Sequence, residues 1–116
     1  MEAVPAIDAK YYGATQVVDE ARHVEAFSRY LDEKMPVTYP INENLHSLLN
    51  EVLRDSRWDV VFLGMQVVIE GLALAAFGFM MGTTRDPLLK EMLRYVMADE
   101  ARHVAFGILS LQKVYD

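Results

Sequence analysis

The stretch Asp-Glu-Ala-Arg-His-Val occurs twice in this chain of 116 residues, at positions 19–24 and again at 99–104. Each copy places a glutamate three residues before a histidine, as Glu20 with His23 and as Glu100 with His103. Residues three apart are neighbours on one face of a helix, so each copy would present a carboxylate beside an imidazole. Biased composition alone does not produce such a copy. The repeat therefore predicts two related helices that share a chemical task.

Apolar residues on both sides of the two copies recur every three or four residues, which is the periodicity of one face of an α-helix. This spacing predicts helices over about 8–34 and about 86–114, a shorter helix over about 42–55, and a third helix from 56 to about 81 that is capped by Gly82. No segment alternates apolar and polar residues as a half-buried strand does. The sequence therefore predicts an all-α fold, and its length allows one domain over residues 1–116.

Both Glu-His pairs lie within the apolar stripe of their helix, so we expect their carboxylates to be buried. In the first helix this stripe comprises Gly13, Gln16, Val17, Glu20, His23, Val24, Phe27, Tyr30 and Leu31. The third helix carries a further carboxylate, Glu70, in a run from Val60 to Gly82 whose only other polar side chain is Gln66. Buried carboxylates need a compensating positive charge. Three carboxylates with two imidazoles form a donor set that suits iron or manganese.

The apolar third helix is also long enough to cross a lipid bilayer. A carboxylate such as Glu70 is costly at the middle of a bilayer. The flanking segment also lacks the positive bias of a membrane protein, because Arg54 and Arg57 alternate with Asp55 and Asp59. We therefore expect the central helix of a bundle and no membrane span.

The composition excludes several classes of protein. Seventeen acidic residues against eleven basic ones give a net charge of −6, which predicts no nucleic-acid surface. The absence of cysteine excludes disulfides, cysteine-ligated metals and cysteine nucleophiles. The first ten residues, MEAVPAIDAK, lack the basic and apolar regions of a signal peptide, so we expect a cytoplasmic location.

The order Glu-x-x-His, Glu, Glu-x-x-His resembles the ligand pattern of the ferritin-like di-iron carboxylate bundles. The resemblance covers nearly the whole chain. It is closest to the oxygenase and oxidase branch, which includes the aminobenzoate N-oxygenases, the ribonucleotide reductase small subunit and the bacterial multicomponent monooxygenases. The resemblance implies a ferritin-like antiparallel helical bundle that binds two iron ions, with a manganese–iron pair as the alternative.

The same resemblance implies the metal ligands, which are Glu20, His23, Glu70, Glu100 and His103. Each histidine would bind one ion, the glutamates of the two hexapeptides would bridge the ions or bind one each, and Glu70 would be a mobile ligand. In the multicomponent monooxygenases, the aspartate before each ligand glutamate pairs with the arginine of the other motif. That pairing would join Asp19 to Arg102 and Asp99 to Arg22, and it would orient the ligands.

The family uses six protein ligands, whereas this chain supplies five. The missing one is a carboxylate from a helix before the first motif, and only Glu2 and Asp8 lie upstream here. We therefore expect the chain to be the C-terminal portion of the full domain, incomplete by one helix. A truncated gene or a partner subunit that supplies the carboxylate would explain this. The apolar groove left by the absent helix predicts a homo-oligomer.

Two positions depart from particular members of the family. Phe27, one turn after His23, stands where the ribonucleotide reductase small subunit has its radical-forming tyrosine, which counts against a tyrosyl-radical role. Val96 stands where the aminobenzoate N-oxygenases have an extra histidine ligand, which puts N-oxygenase chemistry in doubt.

Besides Phe27, we expect Gln66 and Gly107 to line the cavity beside the metals. Gly107 would leave space for dioxygen or substrate, or it would allow two helices to pack closely. Gln66, one turn before Glu70, would hydrogen-bond a ligand or satisfy a buried backbone group.

These features predict a non-haem di-iron oxidase or oxygenase. It would use dioxygen and a small organic substrate, with electrons from an external ferredoxin or flavin reductase. One alternative is iron oxidation and storage or peroxide scavenging of the ferritin or rubrerythrin type. The other is a truncated, non-catalytic remnant or an assembly subunit. The residues do not identify the substrate or the electron donor.

Overall fold

The computed structural model describes residues 4–115 as four helices and contains no β-strand in that range. The helices are α1 (Ile7–Lys34), α2 (Glu43–Arg54), α3 (Trp58–Thr83) and α4 (Pro87–Tyr115). The prediction of an all-α fold is confirmed, and Glu2 lies outside the described residues. The chain forms two compact units, with the division between Val61 and Phe62.

Polar residues lie at the start of both α1 and α2 in the first unit. α1 begins one residue before its predicted start, and Asp8 lies in its first turn, where a carboxylate stabilises the positive end of the helix dipole. Asn42 caps α2, because its side-chain oxygen accepts hydrogen bonds from the backbone N–H groups of Asn44 at 2.9 Å and Leu45 at 3.4 Å. The predicted span of α2 thus included its two capping residues.

The buried side chains of α1 are polar. They are Gln16 and His23, and both lie on the predicted stripe. Val17 and Val24, predicted to share that stripe, have 57% and 69% of their surface exposed, and Leu31 is exposed as well. Successive residues of an α-helix point about 100° apart, so the residue after a buried one turns away from the covered face. The predicted stripe was therefore too wide.

The second unit is built on an antiparallel hairpin of α3 and α4, joined by residues 84–86. Gly78 near the end of α3 faces Met97, and Gly107 near the end of α4 faces Gln66. Because one contact pairs late α3 with early α4 and the other pairs early α3 with late α4, the two helices run in opposite directions. The short connection between them is typical of such neighbours.

One stripe of α4 forms the buried face of this hairpin. Its buried apolar members are Leu93, Val96 and Leu111, and Glu100 and His103 lie between them along the helix. With the buried Gly107 between His103 and Leu111, these residues follow one another at spacings of three or four, which keeps them on one side of α4. The predicted placement of the second Glu-His pair on a buried face is therefore confirmed.

The junction between α3 and α4 differs from the prediction at one position. Gly82 lies inside α3 instead of capping it, and Thr84 ends the helix with extended backbone. Within residues 4–115 the structure has no glycine with positive φ, so the left-handed cap predicted at Gly82 is not used. Asp86, where the last helix was predicted to begin, caps α4, because its carboxylate accepts a hydrogen bond from the backbone N–H of Leu88 at 2.8 Å.

α3 is interrupted by a π-helical segment, Leu63–Ile69, between α-helical turns. The backbone N–H of Glu70 donates to the carbonyl of Met65, five residues earlier, as π-helical hydrogen bonding requires. Such segments are rare and occur frequently at functional sites. The sequence predicted an uninterrupted α-helix here. A π-helical turn contains one residue more than an α-helical turn, and in a run of apolar residues this extra residue does not change the hydrophobic pattern.

α3 is long and apolar enough, by length and composition, to cross a membrane, and it is the one such helix among residues 4–115. The core helices of soluble proteins share these properties, and α3 carries a buried carboxylate, Glu70. The central bundle helix and the cytoplasmic location therefore stay predictions.

Two glycines of the hairpin should respond in opposite directions to alanine. A Cβ at Gly107 would come within 2.6 Å of the Gln66 Cβ, whereas a Cβ at Gly71 would meet nothing within 4 Å. We expect Gly107→Ala to destabilise the protein by about 1–3 kcal/mol through overpacking. Gly71→Ala should stabilise it by up to about 1 kcal/mol, because alanine favours helix. Urea unfolding followed by circular dichroism measures both, and equal effects would contradict the close approach at Gly107.

A carboxylate–guanidinium pair closes the turn between α2 and α3. Asp55 accepts hydrogen bonds from the backbone N–H of Arg57 at 2.8 Å and from its guanidinium at 2.7 and 3.0 Å. These bonds favour the charged carboxylate, so Arg57 lowers the pKa of Asp55 from 3.8 to about 2.

Because the pKa of Asp55 is lower in the folded chain than in the unfolded chain, its charge stabilises the fold above the unfolded pKa of 3.8 and stops doing so as the pH falls through about 2. Asp55→Asn should therefore lower the melting temperature at pH 6, and the difference from wild type should shrink steadily between pH 4 and pH 2. A difference in melting temperature between Asp55→Asn and wild type that does not change with pH would contradict the ion pair between Asp55 and Arg57. High salt should weaken it, because the pair is at the surface.

Candidate metal centre

Two carboxylates and one imidazole meet inside the α3–α4 hairpin. Glu70, Glu100 and His103 have only 8%, 5% and 1% of their surface exposed. The Nδ1 atom of His103 lies 3.4 Å from the Oε2 atom of Glu100 and 3.8 Å from the Oε2 atom of Glu70. One donor atom from each residue lies within 4.8 Å of the other two, so a single ion could contact all three.

Two levels of structure bring these side chains together. Glu100 and His103 are three residues apart on α4, so the helix itself places them side by side. Glu70 comes from α3, and the antiparallel pairing of the two helices places it opposite His103. Glu70 directly follows the π-helical segment, so its direction depends on that extra residue in the turn.

The chemistry of the cluster is compatible with a bound cation. Two carboxylates are removed from water here, and the desolvation of an anion is unfavourable unless a positive charge or strong hydrogen bonds compensate it. On the hairpin, the imidazole of His103 lies within 3.8 Å of both carboxylates. Two carboxylate oxygens and one imidazole nitrogen also form a donor set that first-row divalent ions prefer.

Gln66 joins the cluster from the π-helical segment. Its amide Nε2 donates a hydrogen bond to the Oε1 atom of Glu70 at 3.2 Å. This contact is one of the two outcomes expected from the sequence. The other oxygen of Glu70 remains directed towards His103.

Gly107 is a point of close helix approach. Its backbone lies against Gln66 and Val67, and a Cβ there would also come within 3.4 Å of the Val67 Cγ2. Of the two roles expected for Gly107, the structure has the close packing, and Gln66 occupies the space that an open cavity for dioxygen would need at this position. Phe27 lies half-buried on α1.

The first hexapeptide has the same local geometry on α1. The Nδ1 atom of His23 lies 3.7 Å from the Oε2 atom of Glu20, and the imidazole is buried. The Glu20 side chain is 47% exposed, whereas that of Glu100 is 6% exposed. The two copies therefore have one helical conformation but different degrees of cover over the carboxylate.

Within each hexapeptide, the aspartate pairs with its own arginine. Arg22 donates to the carboxylate of Asp19, and Arg102 donates to that of Asp99, both across one helical turn. Arg102 also donates to the backbone carbonyl of Ala98 at 3.1 Å. The predicted pairing between the two motifs stays a prediction, and these contacts add a local partner for each arginine.

Gln16 is a buried residue of the first motif that the sequence analysis did not single out as functional. It lies one turn before Glu20, as Gln66 lies one turn before Glu70, and both glutamines are at least partly buried. A second repeat in the sequence signals this equivalence: Gln-Val-Val-Asp-Glu at 16–20 and Gln-Val-Val-Ile-Glu at 66–70. Glu100 has no such glutamine, because the residue one turn before it is Val96.

No protein-family model, curated protein or solved structure matches this chain.

Proposed function

We propose that this chain forms a ferritin-like helical bundle that binds two metal ions, preferentially iron, and uses them to activate dioxygen as an oxidase or oxygenase. The observation that carries the proposal is the buried cluster of Glu70, Glu100 and His103. Because the same hexapeptide recurs on α1 with the same local geometry, we propose Glu20 and His23 as further metal ligands.

The residues present fit a di-iron site in their chemistry. Carboxylate oxygens and imidazole nitrogens are ligands that iron and manganese accept, whereas calcium avoids nitrogen and copper(I) prefers sulfur. To bind, the glutamates must be deprotonated and the histidines neutral. A bound iron pair would supply the redox chemistry, and the chain supplies the ligand geometry and a surrounding that excludes water.

The proposed reaction needs partners that the chain does not supply. A small organic substrate would be oxidised, and an external ferredoxin or flavin reductase would deliver the electrons. A sixth carboxylate would come from a further helix or from a partner subunit.

Replacement of Glu100 by glutamine should separate the effect of the buried charge on folding stability from its contribution to metal binding. We expect Glu100→Gln to raise the melting temperature of the metal-free protein, because it removes a buried negative charge without changing the side-chain volume. The same variant should lose the stabilisation by Fe(II), which for wild type reaches about 2.7 kcal/mol at a hundredfold excess over Kd. Elemental analysis after anaerobic loading and desalting should find about two irons per wild-type chain and none in Glu100→Gln with His103→Gln.

Glu91→Gln is the matched control, because Glu91 is an exposed glutamate of the same helix. It should bind iron as wild type does. A wild-type chain that binds no iron, or that binds it equally after loss of Glu100 and His103, would contradict the metal site. If the protein binds two irons but consumes no dioxygen after reduction, the metal site is supported and the oxygenase role is contradicted.

We also propose a homo-oligomer that forms through the exposed apolar stripe of α1. The stripe has the 3-4 spacing of a helix-packing face and comprises Ala14, Val17, Ala21, Val24, Ser28 and Leu31. An antiparallel second copy would place each small residue of the stripe against a large one, as closely packed helices require. The facing pairs would be Ala14 with Leu31, Val17 with Ser28, and Ala21 with Val24.

Sedimentation velocity tests this assembly. Val24→Asp should shift the protein towards the monomer, because it places a charge in the middle of the stripe. Val18→Asp is the matched control, since Val18 is as exposed as Val17 but lies beside the stripe. Equal effects of the two variants, or a monomeric wild type, would contradict the interface.

A further inference from the structure

We propose that Gln66 is a positioning residue of the metal centre with two separate tasks. Its amide nitrogen holds the carboxylate of Glu70, and its amide oxygen accepts a hydrogen bond from a water molecule or another O–H or N–H group bound in the centre. This inference rests on the proposed metal site and concerns a side chain that does not itself bind metal.

The hydrogen bond to Glu70 determines the orientation of the Gln66 amide. A carboxylate is an acceptor only, so the amide group 3.2 Å from the Oε1 atom of Glu70 must be the nitrogen, which donates. The opposite orientation would place two acceptor oxygens against each other. The amide oxygen of Gln66 is therefore directed away from that carboxylate oxygen.

This amide oxygen is buried and has no hydrogen-bond partner among residues 4–115. Buried amide oxygens are almost always satisfied, and an unsatisfied one calls for an explanation. The side chain that carries it also contacts a candidate metal ligand. A proton-bearing ligand in the centre would satisfy the oxygen, whereas a metal ion alone would not need it.

The close packing of α4 against α3 surrounds the base of the Gln66 side chain. Gly107 of α4 faces the base of the side chain so closely that a Cβ there would come within 2.6 Å of the Gln66 Cβ. Gln66 itself lies in the π-helical segment that directly precedes Glu70. Both features define where the side chain leaves α3, and the hydrogen bond to Glu70 places its amide next to the candidate ligand, as a residue that orients a metal ligand requires.

A simple packing role for Gln66 makes a different prediction. If the side chain only filled space, methionine would serve at least as well, because it has similar length and no polar atoms to bury. The recurrence of Gln-Val-Val-x-Glu at 16–20 and 66–70 also associates the glutamine with a glutamate one turn later, not with apolar packing.

Binding of Co(II), followed by its visible absorption, distinguishes the two roles. We expect Gln66→Met to weaken Co(II) binding about tenfold and to change the absorption bands, because outer partners of metal ligands typically contribute that much to affinity. The metal-free variant should be at least as stable as wild type. Gln66→Asn should act in the same direction, because its shorter amide cannot reach Glu70 without moving the helix. Gln112→Met, at an exposed glutamine of α4, should match wild type.

The outcomes separate this inference from the proposed function. If wild type binds Co(II) and Glu100→Gln does not, while Gln66→Met keeps wild-type affinity and spectrum, the role of Gln66 is overturned and the metal site stands. If wild type itself binds no Co(II), the proposed metal site is contradicted, and the role of Gln66 that rests on it is contradicted as well. Weaker binding with changed bands in both Gln66 variants, but not in Gln112→Met, would support the inference.

Discussion

Two buried carboxylates, Glu70 and Glu100, lie beside the imidazole of His103 in the second unit, and the burial of these ionisable groups is the constraint on which the candidate site depends. Burial of an anion is unfavourable unless its surroundings compensate it. The chain nevertheless keeps both glutamates at 8% exposure or less, next to His103. Carboxylate oxygens and an imidazole nitrogen in this arrangement form a donor set that a divalent cation suits.

The residues around the two carboxylates keep Glu70 in its buried position. The absence of a side chain at Gly107 lets the backbone of α4 approach Gln66, and Gln66 in turn donates a hydrogen bond to Glu70. The π-helical segment ends directly before Glu70 and sets the direction in which that side chain leaves α3. Gln66 and the π-helical segment lie within one or two turns of Glu70 on α3, and Gly107 contacts Gln66 from α4.

The two hexapeptides show how identical residues acquire different surroundings. On α4 the motif lies among Leu93, Val96 and Leu111, and its glutamate is covered. On α1 the motif has the same pair of side chains at similar separation, but Glu20 remains half exposed and the nearby Val24 faces outward. Local sequence therefore specifies the pairing of carboxylate and imidazole, and the packing around each helix decides how much water reaches it.

The sequence by itself determined the features that depend on neighbours within four residues along the chain. These are the all-α fold, the start of the last helix at Asp86, and the side-by-side pairing of glutamate and histidine in each motif, because helix geometry links residues at this range. The tertiary structure decided the rest. The contact of Glu70 with His103 and the approach of Gly107 to Gln66 depend on the register between two antiparallel helices. Helical periodicity carries no information about that register. In an all-apolar run, periodicity also cannot reveal the extra residue of a π-helical turn.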